Sequence, residues 1–175
     1  MGAHMVNQAV LDLMRDFSAA HNDVLHMHAC GKIDREETLK KFREYGLEGK
    51  SNLILSEYIY DMPLKMAAAD IVICRAGAVT LTEIATMGKP AVLIPSPNVT
   101  DNHQYKNAKV LSDAGAAVLI EESELRDGKL EKTVSELLEN KAKRAGMSEK
   151  VRAFADLNTG KTIYTEIISL LERKK

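Results

Sequence analysis

The sequence predicts an α/β protein with a doubly wound, Rossmann-like parallel sheet and helices on both of its faces. Short apolar runs alternate with amphipathic helical segments along the chain. The runs consist mainly of Val, Ile, Leu and Ala without polar alternation, which is typical of strands buried on both faces of a parallel sheet. Glycine, proline and Asn or Asp residues mark the turns between these segments.

The first part of the chain predicts helices and strands in alternation. Apolar side chains recur on one helical face from Val6 to Phe17, and charged residues that favour helix lie between Asp34 and Gly46. The predicted elements are a helix at 6–21, a strand at 23–31, a helix capped by Asp34 at 34–46 and a strand at 52–58.

The central part continues the alternation, and further helices complete the chain. Asp61 and Pro63 mark the start of one helix, since Asp is a frequent N-cap and Pro is tolerated in the first turn. The predicted elements are helices at 61–70, 78–88 and 101–115, and strands at 70–74, 90–97 and 116–122. Ligands of such folds bind at the carboxyl ends of the strands, which here means the loops 31–34, 57–62, 74–79 and 95–103.

The composition indicates one globular domain and argues against several functional classes. The 175 residues include 24 Lys or Arg and 25 Asp or Glu, so no net positive field favours nucleic acid as a partner. Cys30 and Cys74 form no C-x-x-C pair, which fits a reducing cytoplasm and gives no support for a metal or disulfide framework. No stretch predicts a membrane span or a signal peptide. Residues 1–5 are predicted to be an expression tag, and residues 6–175 a single domain.

The segment "CRAGAVTLTE", residues 74–83, leads from a predicted strand through a glycine turn into a helix. The unpaired N–H groups of a first helical turn and the helix dipole suit a phosphate. Here they belong to Ala78, Val79 and Thr80, and Glu83 lies one turn further, where a carboxylate can accept hydrogen bonds from a ribose diol. The alternative is that Thr80 and Glu83 only cap the helix.

The segment "PSPNVTDNHQYKNA", residues 95–108, passes from a loop with two prolines into the next predicted helix. His103, Gln104 and Asn107 bring together polar groups that suit sugar hydroxyls. The alternative is that Asp101 caps the helix and His103 is a solvated loop residue.

Three other features are interpreted as structural. "NTGKT", residues 158–162, lacks both the first glycine of a P-loop and a preceding strand. His26 and His28 share one face of a predicted strand without a third ligand, so we expect them in the core rather than at a metal ion. The basic residues between 141 and 152 predict a solvated helical face.

Residues 58–125 combine the motifs "RAGA-T-E" and "HQ-x-x-NA". Through them the chain, from about Val6 to its C-terminus, resembles the C-terminal, donor-binding half of the MurG family, the bacterial N-acetylglucosaminyltransferases of peptidoglycan synthesis (glycosyltransferase family 28, GT-B architecture). The resemblance implies a UDP-GlcNAc donor, a lipid I acceptor and inverting transfer that yields lipid II, without a metal or other cofactor.

The resemblance also implies roles for individual residues. Glu83 would bind the ribose, while the sugar hydroxyls would contact the start of the helix near His103, where some members have glutamine. Arg75 would support the loop or the charge, and the uracil would lie against the loop before the helix at 61–70. The implied substrate-binding residues are Ile59, Met62, Arg75, Ala78, Val79, Thr80, Glu83, His103, Gln104 and Asn107.

The resemblance places the catalytic base in an N-terminal domain of the family, and this chain is therefore expected to contain no catalytic residue and to be inactive alone. The full-length enzyme would be peripheral on the cytoplasmic face of the membrane. In the family a strand and a glycine-rich loop also precede the first helix. In a sheet of order 3-2-1-4-5-6 the absence of this central strand would leave two strand edges unpaired. We expect these edges to pair with each other or to accept a strand from another copy, as in a homodimer.

Other functions share this fold. The alternatives are a UDP-sugar epimerase, the UDP-sugar-binding half of a glycolipid synthase or of a two-subunit glycosyltransferase, and a nucleotide-sugar sensor. These proteins would differ in which UDP-sugar they prefer, and the sequence leaves that preference open.

Overall fold

The structure is a computed structural model that describes residues 3–156 and 158–172. Its described strands are β1 (His26–Ala29), β2 (Leu53–Ser56), β3 (Val72–Cys74), β4 (Ala91–Leu93) and β5 (Ala117–Leu119). Its described helices are α1 (His4–Asp16), α2 (Arg35–Glu44), α3 (Met62–Ala68), α4 (Ala78–Met87), α5 (His103–Asp113), α6 (Lys129–Glu139), α7 (Lys141–Arg152) and α8 (Thr159–Glu172). The predicted alternation of helices with parallel strands, and with it the α/β class, is confirmed.

The strands form two parallel sheets. One contains β1 and β2, and the other contains β3, β4 and β5 in that order. Between β1 and β3 no pairing occurs in the described residues, so the expectation that these two edges pair with each other is wrong. The sheets are connected through side chains instead, because α1 packs against both.

Two apolar clusters cover the opposite faces of the larger sheet. Val92 of β4 belongs to the first cluster, while its neighbours Ala91 and Leu93 belong to the second, as the alternation of side chains along a strand requires. The first cluster joins α1, α2 and α6 to Leu53 of β2 and Ile120 after β5, and thus spans both sheets. The second joins side chains from α3, α4, α5 and α7 to Ala91 and Leu93 of β4.

Asn7 gives the apolar face of α1 a fixed polar attachment to β1. The Asn7 side chain is 3% exposed. Its Nδ2 donates to the Cys30 carbonyl at 2.9 Å and to the Asp34 carboxylate at 3.0 Å, and its Oδ1 contacts His28 Nε2 at 2.9 Å. The prediction that the Asp34 side chain caps α2 is therefore wrong: Asp34 occupies the N-cap position, but its carboxylate accepts from Asn7.

The C-terminal helices differ in how they contact the domain. In the basic cluster, Arg144 donates to carbonyls at the end of α6 and Arg152 to the Met87 carbonyl at the end of α4. The predicted solvated face is confirmed at Arg152, which is exposed, whereas Arg144 is half-buried because it donates to the last carbonyls of a helix, which need donors. "NTGKT" leads into α8 and follows α7 rather than a strand, which agrees with its rejection as a P-loop. No residue of α8 is buried among the described side chains.

His26 and His28 are half-buried and contact other side chains of the protein. The Nδ1 of His26 is 2.9 Å from the Ser18 hydroxyl, and His28 contacts Asn7. Burial lowers the pKa of both imidazoles to about 4, and His26 adds a smaller lowering effect on His28. Both side chains are therefore neutral in the folded protein near neutral pH.

We predict that acid destabilises the domain through these two histidines. The unfolded chain takes up a proton on each histidine near pH 6.5, whereas the folded chain resists protonation down to about pH 4. The unfolded state thus binds more protons in this range, and the free energy of unfolding should fall by about 2 kcal/mol per histidine between about pH 7 and about pH 5. Urea titrations at several pH values measure this slope.

His28→Gln, which preserves a donor for Asn7, should reduce the slope. His21→Gln alters a histidine on the protein exterior and serves as the control. An unchanged slope in His28→Gln would contradict the prediction.

Candidate functional site

The loops that follow β3, β4 and β5 meet at one edge of the larger sheet. The strands are parallel and in register, with Cys74, Leu93 and Leu119 side by side at their carboxyl ends. The loops after β3 and β4 lead into α4 and α5, as predicted. This edge is where doubly wound folds bind ligands.

The turn before α4 leaves the first helical amides open. Gly77 occupies the N-cap position, and a Cβ atom at this residue would meet no atom within 4 Å. The N–H of Leu81 donates to the Gly77 carbonyl at 3.0 Å, so the amides of residues 78–80 precede the first helical hydrogen bond and have no carbonyl partner within the helix. The Val79 side chain is 75% exposed, which shows that this end of α4 is accessible.

The alternative that Thr80 and Glu83 cap α4 is wrong. The helix begins at Ala78, so Thr80 is its third residue, and the N-cap residue Gly77 has no side chain with which to cap. Within residues 3–156 and 158–172, the side chains of Thr80 and Glu83 form no hydrogen bond and no ion pair. Both remain accessible to a ligand.

Cys74 ends β3, and its thiol has a raised pKa. Burial raises the pKa of the Cys74 thiol to about 12, and the Glu83 carboxylate contributes a smaller rise. The carboxylate therefore lies close enough to Cys74 to act on it electrostatically. Cys74 stays protonated at neutral pH, so it is not a candidate nucleophile.

Arg75 connects the carboxyl ends of all three strands. Its Nη1 donates to the carbonyls of Ile94 and Pro95, each at 3.2 Å. The same nitrogen lies 2.6 Å from Oε2 of Glu122, which follows β5. Arg75 thus holds the loop after β4, and its charge is already paired.

The predicted amides at the start of α5 are oriented by the protein. Gln104 Oε1 accepts from the Ser96 N–H at 2.9 Å, and Asn107 Nδ2 donates to the Ala76 carbonyl at 3.3 Å. The Nε2 group of Gln104 can therefore still donate to a ligand, and Oδ1 of Asn107 can still accept from one. His103 is exposed, and its Nδ1 contacts the Thr100 carbonyl at 2.9 Å, which leaves Nε2 as an acceptor in the neutral tautomer.

Strained backbone occurs in the loop after β2 and in the loop after β4. Among the described residues, the left-handed residues other than glycine are Asp61, Asp101 and Asn102, with φ of 55°, 55° and 49°. Asp61 precedes Met62, and the other two precede His103. Such strain clusters at ligand sites. The Asp101 carboxylate pairs with Lys106 at 2.7 Å, so the alternative that Asp101 caps α5 is wrong. His103 is exposed, as that alternative also stated, but it begins α5 rather than lying in the loop.

The residues predicted to contact uracil, Ile59 and Met62, lie between β2 and β3 in the chain. Met62 begins α3 and packs against the second apolar cluster. Ile59 is half-buried in the loop after β2, which belongs to the other sheet. Sequence reasoning missed Tyr58 and Tyr60, two exposed rings 5.2 Å apart on either side of Ile59. The available signal was the placement of two aromatic residues in a loop at a strand end.

Sequence reasoning also missed an open cavity of about 560 Å³ beside the site, between the loops after β4 and β5 and the start of α1. None of the predicted substrate-binding residues lines it. It is lined by Met5, Pro95, Ser96, Pro97, Asn102, Tyr105, Glu121, Glu122, Ser123 and Arg126. The two adjacent glutamates after a buried strand were the feature that could have drawn attention to it.

The described part of the chain contains neither a metal-binding cluster nor a membrane-spanning helix. No group of three or more His, Cys, Asp or Glu side chains is placed to hold a metal ion there. No helix within that part is long and apolar enough to cross a membrane.

Known proteins resemble this chain over most of its length. The model of the glycosyltransferase family 28 C-terminal domain matches residues 1–161. The UDP-N-acetylglucosamine–N-acetylmuramyl-(pentapeptide) pyrophosphoryl-undecaprenol N-acetylglucosamine transferase of Caldicellulosiruptor saccharolyticus is 40% identical over 173 residues, which cover 97% of this chain and 46% of that protein. The enzyme of the same name from Desulforamulus reducens is 39% identical over 152 residues, covering 85% of this chain and 40% of that protein.

Solved structures agree with these similarities. The crystal structure of Acinetobacter baumannii MurG has a TM-score of 0.76 and 30% identity, and the match covers 97% of this chain and 47% of that one. The glycosyltransferase VinC shares the fold alone, with a TM-score of 0.63 and 17% identity over 91% of this chain and 38% of VinC. The chain spans about half the length of the curated relatives it matches. It belongs to glycosyltransferase family 28, in which it matches the C-terminal domain.

Proposed function

We propose that this chain is the UDP-GlcNAc-binding domain of an inverting glycosyltransferase that converts lipid I to lipid II. The observation that carries the proposal is the start of α4, where the open amides of residues 78–80 lie one helical turn from the accessible Glu83 carboxylate. The diphosphate and the ribose are adjacent in a UDP-sugar, so these groups would bind neighbouring parts of one ligand. The relatives' names state the same donor and an undecaprenol-linked acceptor.

The proposed chemistry requires preorganised dipoles rather than a reactive side chain from this domain. The acceptor hydroxyl attacks C1 of the sugar on the face opposite the UDP leaving group. As it does so, the bond between C1 and UDP breaks and the diphosphate gains negative charge. Amides already aimed at that position, together with the dipole of α4, stabilise this charge without reorganisation. We propose no metal or other cofactor for this step.

The sugar is proposed to lie against the start of α5. Gln104 offers N–H donors and Asn107 offers a carbonyl acceptor, because the other atom of each amide is bound by the protein. Sugar hydroxyls both donate and accept, so they match this pair. His103 would add an acceptor, while Ile59 and Met62 would contact the uracil.

The base and the acceptor site are proposed to lie in the part of the relatives that this chain does not match. The whole protein would then act at the cytoplasmic face of the membrane, where a lipid-linked acceptor is held. The chain described here would supply the donor and the leaving-group contacts.

We predict that Glu83→Ala weakens UDP-GlcNAc binding by roughly ten- to a hundredfold, because a hydrogen bond to a charged group contributes about 1.5–3 kcal/mol. The affinity for UDP should fall by a similar factor, since the ribose is common to both ligands. Isothermal titration calorimetry measures both affinities. Glu149→Ala removes an exposed carboxylate on α7 and is the matched control.

Equal binding by Glu83→Ala and the unaltered chain would contradict the assignment of Glu83. UDP-glucose and UDP-galactose belong in the same experiment. Tighter binding of either than of UDP-GlcNAc would favour a glycolipid synthase or an epimerase.

We predict that the isolated chain binds donor but transfers GlcNAc to a soluble lipid I analogue at least about 1,000-fold more slowly than a full-length relative, because a general base alone contributes about 10²–10⁴-fold. A radiolabelled-donor assay with both proteins measures the ratio. A rate within tenfold of the relative's would show that this chain carries its own base.

The unpaired edge of β1 is proposed to accept a strand from a second copy. The N–H groups of His26 and Cys30 donate to the carbonyls of Asn52, just before β2, and of Ser56, its last residue. The alternate amides of Met27 and Ala29 therefore point away from β2. An edge of this kind readily pairs with another chain.

We predict a concentration-dependent homodimer, measured by size-exclusion chromatography with light scattering. Met27→Pro removes one outward N–H and should shift the chain toward monomer, because proline cannot donate to an added strand. Glu149→Ala is the control, and circular dichroism verifies that Met27→Pro remains folded. An unaltered chain that stays monomeric at all concentrations would contradict the proposal.

A further inference from the structure

We infer that Glu122 is a positioning residue for the donor site and acts through Arg75 on the loops after β3 and β4. This inference rests on the proposed function. Glu122 was not among the residues that the sequence assigned to substrate, and it lies after β5, on a different strand from the proposed phosphate and ribose contacts.

The Arg75–Glu122 pair is largely shielded from water. The two side chains are 22% and 15% exposed. Arg75 Nη1 donates to the carbonyls of Ile94 and Pro95, and its 2.6 Å contact with Glu122 Oε2 is an ion pair without an aligned hydrogen bond. Without Glu122, the guanidinium would be left in this environment without its counter-charge, which is unfavourable.

Arg75 is connected through neighbouring backbone residues to Gln104 and Asn107, whose side-chain amides are proposed to hold the sugar. Pro95, whose carbonyl accepts from Arg75, precedes Ser96, whose N–H binds Gln104 Oε1. On the other side, Arg75 precedes Ala76, whose carbonyl accepts from Asn107 Nδ2. A shift of Arg75 would therefore move the partner of each amide, and such chains of contacts transmit displacement between sites.

A direct role of Arg75 predicts the opposite result. If the guanidinium bound the diphosphate, Glu122 would compete with the ligand for it. Removal of Glu122 would then strengthen the binding of UDP and UDP-GlcNAc alike. In the positioning role, removal of Glu122 weakens binding, mainly at the sugar, because the displaced amides contact the sugar and not the nucleotide.

The test is calorimetric titration of UDP-GlcNAc and of UDP into the unaltered chain and three variants, Glu122→Ala, Glu122→Gln and Arg75→Lys. We expect Glu122→Ala and Arg75→Lys to weaken UDP-GlcNAc binding about tenfold and UDP binding less than about threefold. Glu122→Gln preserves the shape of the side chain but not its charge. Its affinity for UDP-GlcNAc should lie between those of the unaltered chain and Glu122→Ala. Glu136→Gln is the control, since it breaks an exposed ion pair with Lys143.

Thermal unfolding of each variant separates positioning from general stability. A merely structural role would lower the melting temperature and leave the ratio of the two affinities unchanged, which would contradict the inference. Unchanged or tighter binding by Glu122→Ala would also contradict it. If Glu122→Ala fails to fold, Glu122→Gln and Arg75→Lys give the same comparison. Absence of binding by the unaltered chain would contradict the proposed function itself, and the inference with it.

Discussion

The packing of α1 across both sheets is the constraint on which the rest of the domain depends. Because β1 and β3 do not pair, apolar contacts replace a ladder of backbone hydrogen bonds as the connection between the sheets. Burial of a side chain such as Leu11 or Met14 stabilises the folded state by about 1.5–3 kcal/mol. Apolar burial is non-directional, however, so it does not by itself fix the orientation of α1. Asn7 supplies direction through its bonds to the Cys30 carbonyl and to His28, which fix α1 against β1.

The candidate site lies on the larger sheet, at the carboxyl ends of β3, β4 and β5. Its three strand ends are held together by Arg75, and α5 is attached to the loop after β4 through Gln104 and to the turn before α4 through Asn107. The backbone around Asp101 adopts an unfavourable conformation that only a firm surrounding structure can maintain. The site is therefore organised before a ligand arrives, which lowers the entropy cost of binding.

Local patterns predicted the elements of the site, whereas tertiary contacts decided the partners of its side chains. The helix starting at Ala78 was predicted from the glycine turn before it, and the alternative that Thr80 caps this helix fails because Gly77 holds the N-cap position. Asp34 has the right position for a cap, and only the approach of Asn7 diverts its carboxylate. Glu122 could not be linked to Arg75 from sequence, since their contact depends on the order of the strands in the sheet.

The pairing of Arg75 also determines how an anion can be recognised at this edge. A guanidinium that is already balanced by Glu122 adds little net attraction for a diphosphate, so the remaining attraction comes from neutral N–H groups at the start of α4. Neutral donors at fixed positions select a ligand by geometry more than by total charge. They also retain no excess positive charge that would hold UDP after a sugar has left in the proposed reaction. An enzyme with that reaction would benefit from this arrangement, because stabilisation of the transition state aids turnover only when the product is not bound more tightly still.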